Sequence, residues 1–150
     1  GKTHVLHIIR ELLSFEPTSK GTDIAQALQY FANAQKRHCT AFVISDFIDS
    51  GAIYKPLLIA SNRHEVNAIQ IYDRRETELP NVGLLKFRDA ETGDDLWIDT
   101  AIAAVRQTYA QAWRRNQEEI EQLFTRTGVN HVSVRTDEDY VKALMQLFRC

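Results

Sequence analysis

Two side chains, Thr22 and Asp46, combine residue types and positions that suit a magnesium ion. Asp46 follows the apolar run 40–45, and Thr22 lies beside Gly21 in a loop that opens a predicted helix. Mg²⁺ takes a few hard oxygen ligands from a protein and keeps several waters. Spacing alone favours a second interpretation, in which Thr22 is a helix N-cap and Asp46 a turn residue. If the ion does bind, two oxygens form only an incomplete metal site.

Four further polar residues lie at or near the predicted carboxyl ends of strands. They are candidates for a ligand site because an open parallel sheet binds ligands beyond those ends. They are Ser45, Asp49, Asp73 and Thr136. One alternative function follows, in which Asp46 and Asp73 act with Mg²⁺ in hydrolysis or phosphoryl transfer. The sequence has neither a Gly-x-Ser-x-Gly nucleophile elbow nor a complete phosphate-binding loop. We therefore expect a protein that is not an enzyme.

Histidines and cysteines give no metal or disulfide pattern. His4 and His7 share a predicted helix face and His38 adjoins Cys39, but none has the spacing of a four-ligand zinc site. Cys39 and Cys150 are the only cysteines, too few for a disulfide scaffold. A reducing cytoplasm fits this composition best.

The composition indicates one globular domain without a strong electrostatic field. The 150 residues carry 18 Lys plus Arg and 20 Asp plus Glu, a formal net charge of -2. Such a balance does not recruit nucleic acid non-specifically. No apolar run reaches the roughly 20 residues that span a bilayer, so we expect no membrane segment in this chain.

Apolar periodicity divides the chain into helices and strands. Residues that recur every three or four positions predict helices over 3–15, 24–34, 54–62, 101–127 and 140–148. Short apolar or alternating runs predict strands over 40–45, 66–72, 84–89, 96–100 and 129–134. The order strand, helix, strand indicates an α/β fold, with a mainly parallel sheet flanked by helices in three layers. The segment 84–100 predicts a β-hairpin that extends one edge of the sheet.

Helix faces and caps follow from the same pattern. We expect the first helix to have a broad buried face, and Asp99 or Thr100 to cap the long helix. Three aromatic residues, Trp97, Tyr109 and Trp113, could contact a partner, but aromatic residues on apolar stripes are more often core. Trp113 in particular follows the apolar stripe of its helix, so we expect it in the core. The last helix is expected to turn five residues inward: Tyr140, Val141, Leu144, Leu147 and Phe148.

Two segments carry a resemblance to a known class of domain. Residues 21–28 read GTDIAQAL and residues 42–49 read FVISDFID. They resemble, in order and separation, the second and third metal-site segments of von Willebrand factor A-like domains. Residues 71–83, IYDRRETELPNVG, and 136–141, TDEDYV, look like hallmarks of one bacterial family, the domain of unknown function number fifty-eight. The resemblance extends over essentially the whole chain.

The resemblance implies a von Willebrand A-like, Rossmann-like three-layer sandwich. Thr22 matches the threonine that ligates the ion, and Asp46 the aspartate that holds it directly or through water, whereas Ser45 and Asp49 match no ligand position. The Asp-x-Ser-x-Ser segment that supplies the other ligands does not occur here. We therefore expect residues 1–150 to be the C-terminal portion of one such domain, with its first strands upstream of Gly1. The exposed strand edge predicts that the chain self-associates.

The function expected from the resemblance is a protein–protein interaction module of the metal-ion-dependent adhesion-site type. In the full-length protein it would use Mg²⁺, whereas the chain as given would bind little or none. Members of the family often neighbour genes for MoxR-type AAA+ ATPases, which makes such an ATPase the expected partner in protein assembly or maturation. Two alternatives stay open: the Mg²⁺-dependent enzyme with Asp46 and Asp73, and a metal-free structural interaction domain.

Overall fold

The chain alternates helices and strands, and residues 1–16, 21–48, 52–88 and 93–148 are described by a computed structural model. The five strands are β1 (Thr40–Ser45), β2 (Glu65–Tyr72), β3 (Leu84–Arg88), β4 (Asp95–Asp99) and β5 (Asn130–Arg135). The six helices are α1 (Lys2–Ser14), α2 (Ile24–Ala34), α3 (Tyr54–Ser61), α4 (Arg74–Thr77), α5 (Ala103–Thr127) and α6 (Tyr140–Leu147). The predicted α/β class is confirmed.

The central sheet has three parallel strands in the order β1-β2-β5. Its register pairs Val43 with Ala68 and Ile69 with Val132. Because each crossover carries a helix, the strands can run parallel and bury both faces of β2. Within the described residues, β1 pairs only with β2, so its other edge has no strand beside it.

The main core lies between one face of this sheet and the helices α3 and α5. Val66 and Ala68 point into it from β2, and Leu57 of α3 and Phe124 of α5 cover them with no exposed surface. Phe47 packs edge-on against Phe124, with ring centroids 5.1 Å apart. Such edge-to-face pairs stabilise a core beyond the area they bury.

The opposite face of the sheet is only partly covered. The ring of Phe148, just after α6, lies 5.8 Å from that of Phe42. Phe148 nevertheless keeps 63% of its surface exposed, and Tyr140 and Val141 are also exposed, so the prediction that these three face inward is wrong. The apolar spacing of this segment predicts a helix, which the structure confirms as α6, but none of its residues is buried.

The first helix differs from its prediction in the same way. α1 forms over Lys2–Ser14, but none of its residues is buried. Leu12 and Leu13 are among its most exposed side chains. Amphipathic spacing gives a helix an apolar stripe and does not specify what covers it.

The hairpin β3–β4 forms its own two-stranded antiparallel sheet. The prediction of a hairpin is confirmed, but among the described residues it is not hydrogen-bonded to the parallel sheet, so it does not extend that sheet's edge. Thr100 fastens the hairpin instead, since its Oγ1 donates to Gly83 O at 2.6 Å and accepts from the Val82 N–H at 3.1 Å. The end of the predicted strand at Asp89 lies outside the described residues.

The ends of α5 differ from the prediction at one side only. Gly128 ends the helix in the left-handed conformation, with φ 65°, as the sequence predicts. At the start, the cap position is Ile102, without a side-chain hydrogen bond. Asp99 accepts from the Ala101 N–H at 2.9 Å, and Thr100 binds the hairpin, so neither caps α5.

Candidate functional site at the carboxyl edge of the sheet

Asp46 lies in a tight turn that directly follows β1. Its Oδ1 accepts hydrogen bonds from the Ile48 N–H at 3.1 Å and from Ser45 Oγ at 3.3 Å. Ser45 Oγ in turn accepts from the Phe47 N–H at 3.1 Å. Phe47 has φ 55° and is fully buried, so its ring anchors the turn in a conformation that non-glycine residues seldom adopt. Asp46 is thus held at the carboxyl edge of the sheet.

Thr22 lies beside the start of α2 without capping it. The cap is Asp23, whose Oδ1 accepts from the Gln26 N–H at 2.8 Å. The interpretation of Thr22 as the N-cap is therefore wrong, since the neighbouring carboxylate takes that role. Thr22 is exposed and lines a cavity of about 70 Å³ with Ile48 and Ile53.

Thr22 and Asp46 line two different cavities, which are neighbours because Ile48 borders both. Asp46 lines a separate cleft of about 230 Å³, and Ile48 is the residue that borders both cavities. The Thr22 hydroxyl and Asp46 Oδ2 make no hydrogen bond to another described residue. These two hard oxygens suit Mg²⁺ in type. Among the described residues no three His, Cys, Asp or Glu side chains gather as a metal site.

Asp73 has a structural position at the end of β2. Its Oδ1 accepts from the Arg75 N–H at 2.8 Å and caps α4, while its Oδ2 accepts from Thr136 Oγ1 at 2.8 Å. The Arg75 backbone hydrogen bond, and then the Thr136 hydroxyl, lower the pKa of Asp73 below its usual value. Asp73 and Thr136 therefore join α4 to the segment after β5. Asp49, the remaining strand-end candidate, lies outside the described residues.

The cleft beside Asp46 is built largely from residues that the sequence did not identify as a site. Gln70 is only 2% exposed; its Nε2 donates to Asp46 O at 3.3 Å, and its Oε1 accepts from Ser133 Oγ at 3.0 Å. It thereby links the β1 turn to β5. A glutamine inside the apolar run 66–72 was the signal, because a buried polar side chain needs partners.

Glu76 and two aromatic residues of α5 complete the cleft. Glu76 Oε1 accepts from the Asp73 N–H at 3.0 Å, as in a capping box. Burial raises the pKa of Tyr109, and the charge of Glu76 raises it further. Trp113 packs on Tyr72 with ring centroids 5.6 Å apart. Tyr109 and Trp113 are half-buried and line the cleft, so they do not lie in the closed core that the helix stripe predicted.

A cysteine and a histidine meet at the opposite, amino edge of the sheet. Cys39 Sγ lies 3.7 Å from His64 Nδ1, and His64 is buried against the ring of Phe31 at 4.8 Å. His4 and His7 lie on the exposed helix α1, and Cys150 lies outside the described residues.

The family of the chain is given by its sequence. A family model described as "Protein of unknown function DUF58" matches residues 1–119. The chain belongs to the DUF58 family. Membership confirms the resemblance to this bacterial family, and its description assigns no activity.

Similar proteins occur in mycobacteria. "Uncharacterized protein Rv1480" of Mycobacterium tuberculosis (strain ATCC 25618 / H37Rv) is 29% identical over 150 residues, which cover 97% of this chain and 46% of that protein. "Uncharacterized protein MAV169" of Mycobacterium avium is 30% identical over 135 residues, which cover 89% of this chain and 78% of that protein. The chain thus spans about half the length of the first of these relatives.

No solved structure matches this DUF58 chain significantly. In the part of the chain that the structure describes, no helix is both long and apolar enough to cross a bilayer.

Proposed function

We propose that this DUF58 chain is the C-terminal part of a von Willebrand A-like domain and works in protein–protein interaction. In the full-length protein, Thr22 and Asp46 would be two of the ligands of an Mg²⁺ ion at the carboxyl edge of the sheet. The observation that carries the proposal is a pair of oxygens at that edge, the Thr22 hydroxyl and Asp46 Oδ2, which make no hydrogen bond to other described residues.

The topology of the sheet supports this assignment. The strand order β1-β2-β5 follows the chain in one direction, and Asp46 directly follows β1, whose outer edge has no partner strand among the described residues. A parallel strand added at that edge would end beside Asp46, because the carboxyl ends of parallel strands meet at one edge of a sheet. An Asp-x-Ser-x-Ser segment after such a strand would supply the oxygens that the described residues lack.

The chain's own residues would hold the ion in a fixed position. The Ile48 N–H and Ser45 Oγ bind Asp46 Oδ1, so Oδ2 remains directed by a turn that Phe47 anchors in the core. Asp23 already caps α2, which leaves the Thr22 hydroxyl available. A bound Mg²⁺ would supply positive charge that attracts a carboxylate of the partner.

We further propose a MoxR-type AAA+ ATPase as the partner and the cytoplasm as the place of action. The family resemblance supports the first, and the free thiol of Cys39 is compatible with the second. The near-zero net charge gives no reason to propose nucleic acid as a partner.

The metal-free structural module is the second candidate. It is favoured by the hydrogen bond between Asp46 Oδ1 and the Ile48 N–H, since this bond gives the carboxylate a purely structural use. The enzyme alternative has less support. Both carboxylate oxygens of Asp73 accept hydrogen bonds, from the Arg75 N–H and the Thr136 hydroxyl, and Asp73 does not line the cleft beside Asp46.

Binding of the partner by the full-length protein separates these functions. We expect Asp46→Asn to weaken its association with the MoxR-type ATPase at least about tenfold in Mg²⁺, and EDTA to weaken the unsubstituted protein equally, because a charged ligand is lost from a metal site. Asparagine keeps an Oδ1 acceptor for the Ile48 N–H, so the turn should persist. Calorimetric titration of the two purified proteins measures the effect.

The matched control is Asp23→Asn, which removes a neighbouring carboxylate but retains a good N-cap and should leave association unchanged. Association that is indifferent to both EDTA and Asp46→Asn would exclude the metal-bridged module and favour the metal-free one. Loss of a hydrolytic turnover on Asp46→Asn would favour the enzyme.

A further inference from the structure

The cleft beside Asp46 has a composition that a metal-bridging site does not explain. It measures about 230 Å³ and is bounded by the turn after β1, by α4 and by α5. Two carboxylates line it, Asp46 and Glu76, and so do two aromatic side chains, Tyr109 and Trp113. Among the residues that the structure describes, no lysine or arginine lines this cleft. The described lining of the cleft is therefore acidic and aromatic and contains no cationic side chain.

This combination selects against most classes of ligand. An anion would be repelled by Asp46 and Glu76. An apolar group would desolvate both carboxylates without giving them a hydrogen-bond or ion-pair partner, which is unfavourable. A planar organic cation satisfies both features, because it pairs with carboxylates and packs on aromatic faces. The amide oxygens of Asn116 and Gln117, which also line the cleft, can accept further N–H groups.

We propose that this cleft receives an arginine side chain of a partner protein, with its guanidinium between the carboxylates of Asp46 and Glu76 and against the Trp113 ring. Trp113 and Tyr109 lie one helical turn apart on α5, so both present one face to the same space. Trp113 also contacts Tyr72, with ring centroids 5.6 Å apart. Burial raises the pKa of Tyr109, and the charge of Glu76, which lines the same cleft, raises it further.

The carboxylates are prepared for this role by their own hydrogen bonds. Glu76 uses Oε1 to accept the Asp73 N–H, and Asp46 uses Oδ1 to accept the Ile48 N–H. Each retains its second oxygen for a ligand, since Glu76 Oε2 and Asp46 Oδ2 accept no hydrogen bond from the described residues. Bonds between an ionised donor and an ionised acceptor are about twice as strong as neutral ones. The arginine proposal does not rest on the proposed magnesium site, but both use Asp46 Oδ2, so Mg²⁺ and a guanidinium would compete for that oxygen.

Tryptophan fluorescence tests the proposal on the chain itself. Trp97 and Trp113 are the only tryptophans, so Trp97→Phe leaves Trp113 as the sole reporter. We expect N-acetyl-L-arginine amide to change the Trp113 emission saturably in EDTA. N-acetyl-L-citrulline amide, which has the same shape without the charge, should bind at least about tenfold more weakly. This comparison needs no substitution within the cleft.

Two further variants assign the charge. Glu76→Gln keeps the acceptor for the Asp73 N–H, and Asp46→Asn keeps that for the Ile48 N–H, so each removes charge while retaining the local turn. Each should weaken the arginine compound about fivefold to tenfold, whereas Asp23→Asn should not. Equal responses to the arginine and citrulline compounds, or indifference to both charge-removing variants, would overturn the proposal. A preference for free L-arginine over the capped compound would overturn its assignment to a partner's side chain.

EDTA keeps this test separate from the magnesium site. Arginine binding in EDTA together with metal-independent association of the ATPase would support the cleft and reject the metal-bridged module. A metal-dependent association with no arginine binding would support the metal-bridged module and reject the arginine proposal.

Discussion

Phe124→Ala is expected to lower the free energy of unfolding by about 3–5 kcal/mol, the usual cost of removing a buried phenylalanine ring. Phe124 has no exposed surface, and its ring contacts Phe47 at 5.1 Å and His131 at 4.9 Å. The substitution therefore leaves a cavity beneath the turn that carries Asp46. Domains of this size have a total stability of about 5–15 kcal/mol, so a large share would be lost.

Urea denaturation followed by circular dichroism measures this loss, with Phe148→Ala as the matched control. Phe148 has the same side chain but is 63% exposed, so its removal should cost less than about 1 kcal/mol. Equal losses in both variants, or no loss in Phe124→Ala, would contradict the position of the core between the sheet and α5.

Ile44→Lys is expected to weaken self-association of the 150-residue chain by at least about 100-fold. Ile44 is 61% exposed on β1, whose outer edge is unpaired within the described residues. An unpaired edge with apolar side chains pairs readily with another copy, and lysine is the residue that most often prevents this. In a two-fold dimer both copies lose the burial of an isoleucine, about 1.5–3 kcal/mol each, and 1.4 kcal/mol corresponds to tenfold.

Light scattering over a range of concentrations measures the association constant. Leu96→Lys is the control, because Leu96 is also 61% exposed but lies on the hairpin strand β4. It should leave self-association unchanged. If the unsubstituted chain were a monomer at high concentration, or if only Leu96→Lys dissociated it, the role assigned to the β1 edge would be wrong.

The elements that the sequence predicted well are those with local signals. The apolar period of α2 and the uninterrupted apolar run of β1 depend on neighbouring residues only, and both elements form over the predicted residues. The left-handed C-cap at Gly128 is equally local. The period of apolar residues does not show which surface covers a helix. The apolar stripe of α1 therefore predicts a buried face, but none of its residues is buried in the described chain.

The candidate site was predictable in part for the same reason. Strand ends identified Asp46, but the choice between Thr22 and Asp23 as N-cap depends on side-chain rotamers that spacing does not reveal. The cleft requires α4 and α5 to meet beside the turn after β1, which is a tertiary contact between residues about 30 to 70 positions apart. Gln70 was the one signal available, since a glutamine in a buried strand indicates a polar partner.

Binding of Mn²⁺, a paramagnetic substitute for Mg²⁺, tests the central proposal most directly, and electron paramagnetic resonance on the full-length protein measures it. We expect one bound ion that is weakened at least about tenfold by Asp46→Asn and by Thr22→Val, since each removes one ligand oxygen. The Asp23→Asn control should bind as the unsubstituted protein does. No bound Mn²⁺, or affinity unchanged by both substitutions, would contradict a metal site formed by Thr22 and Asp46.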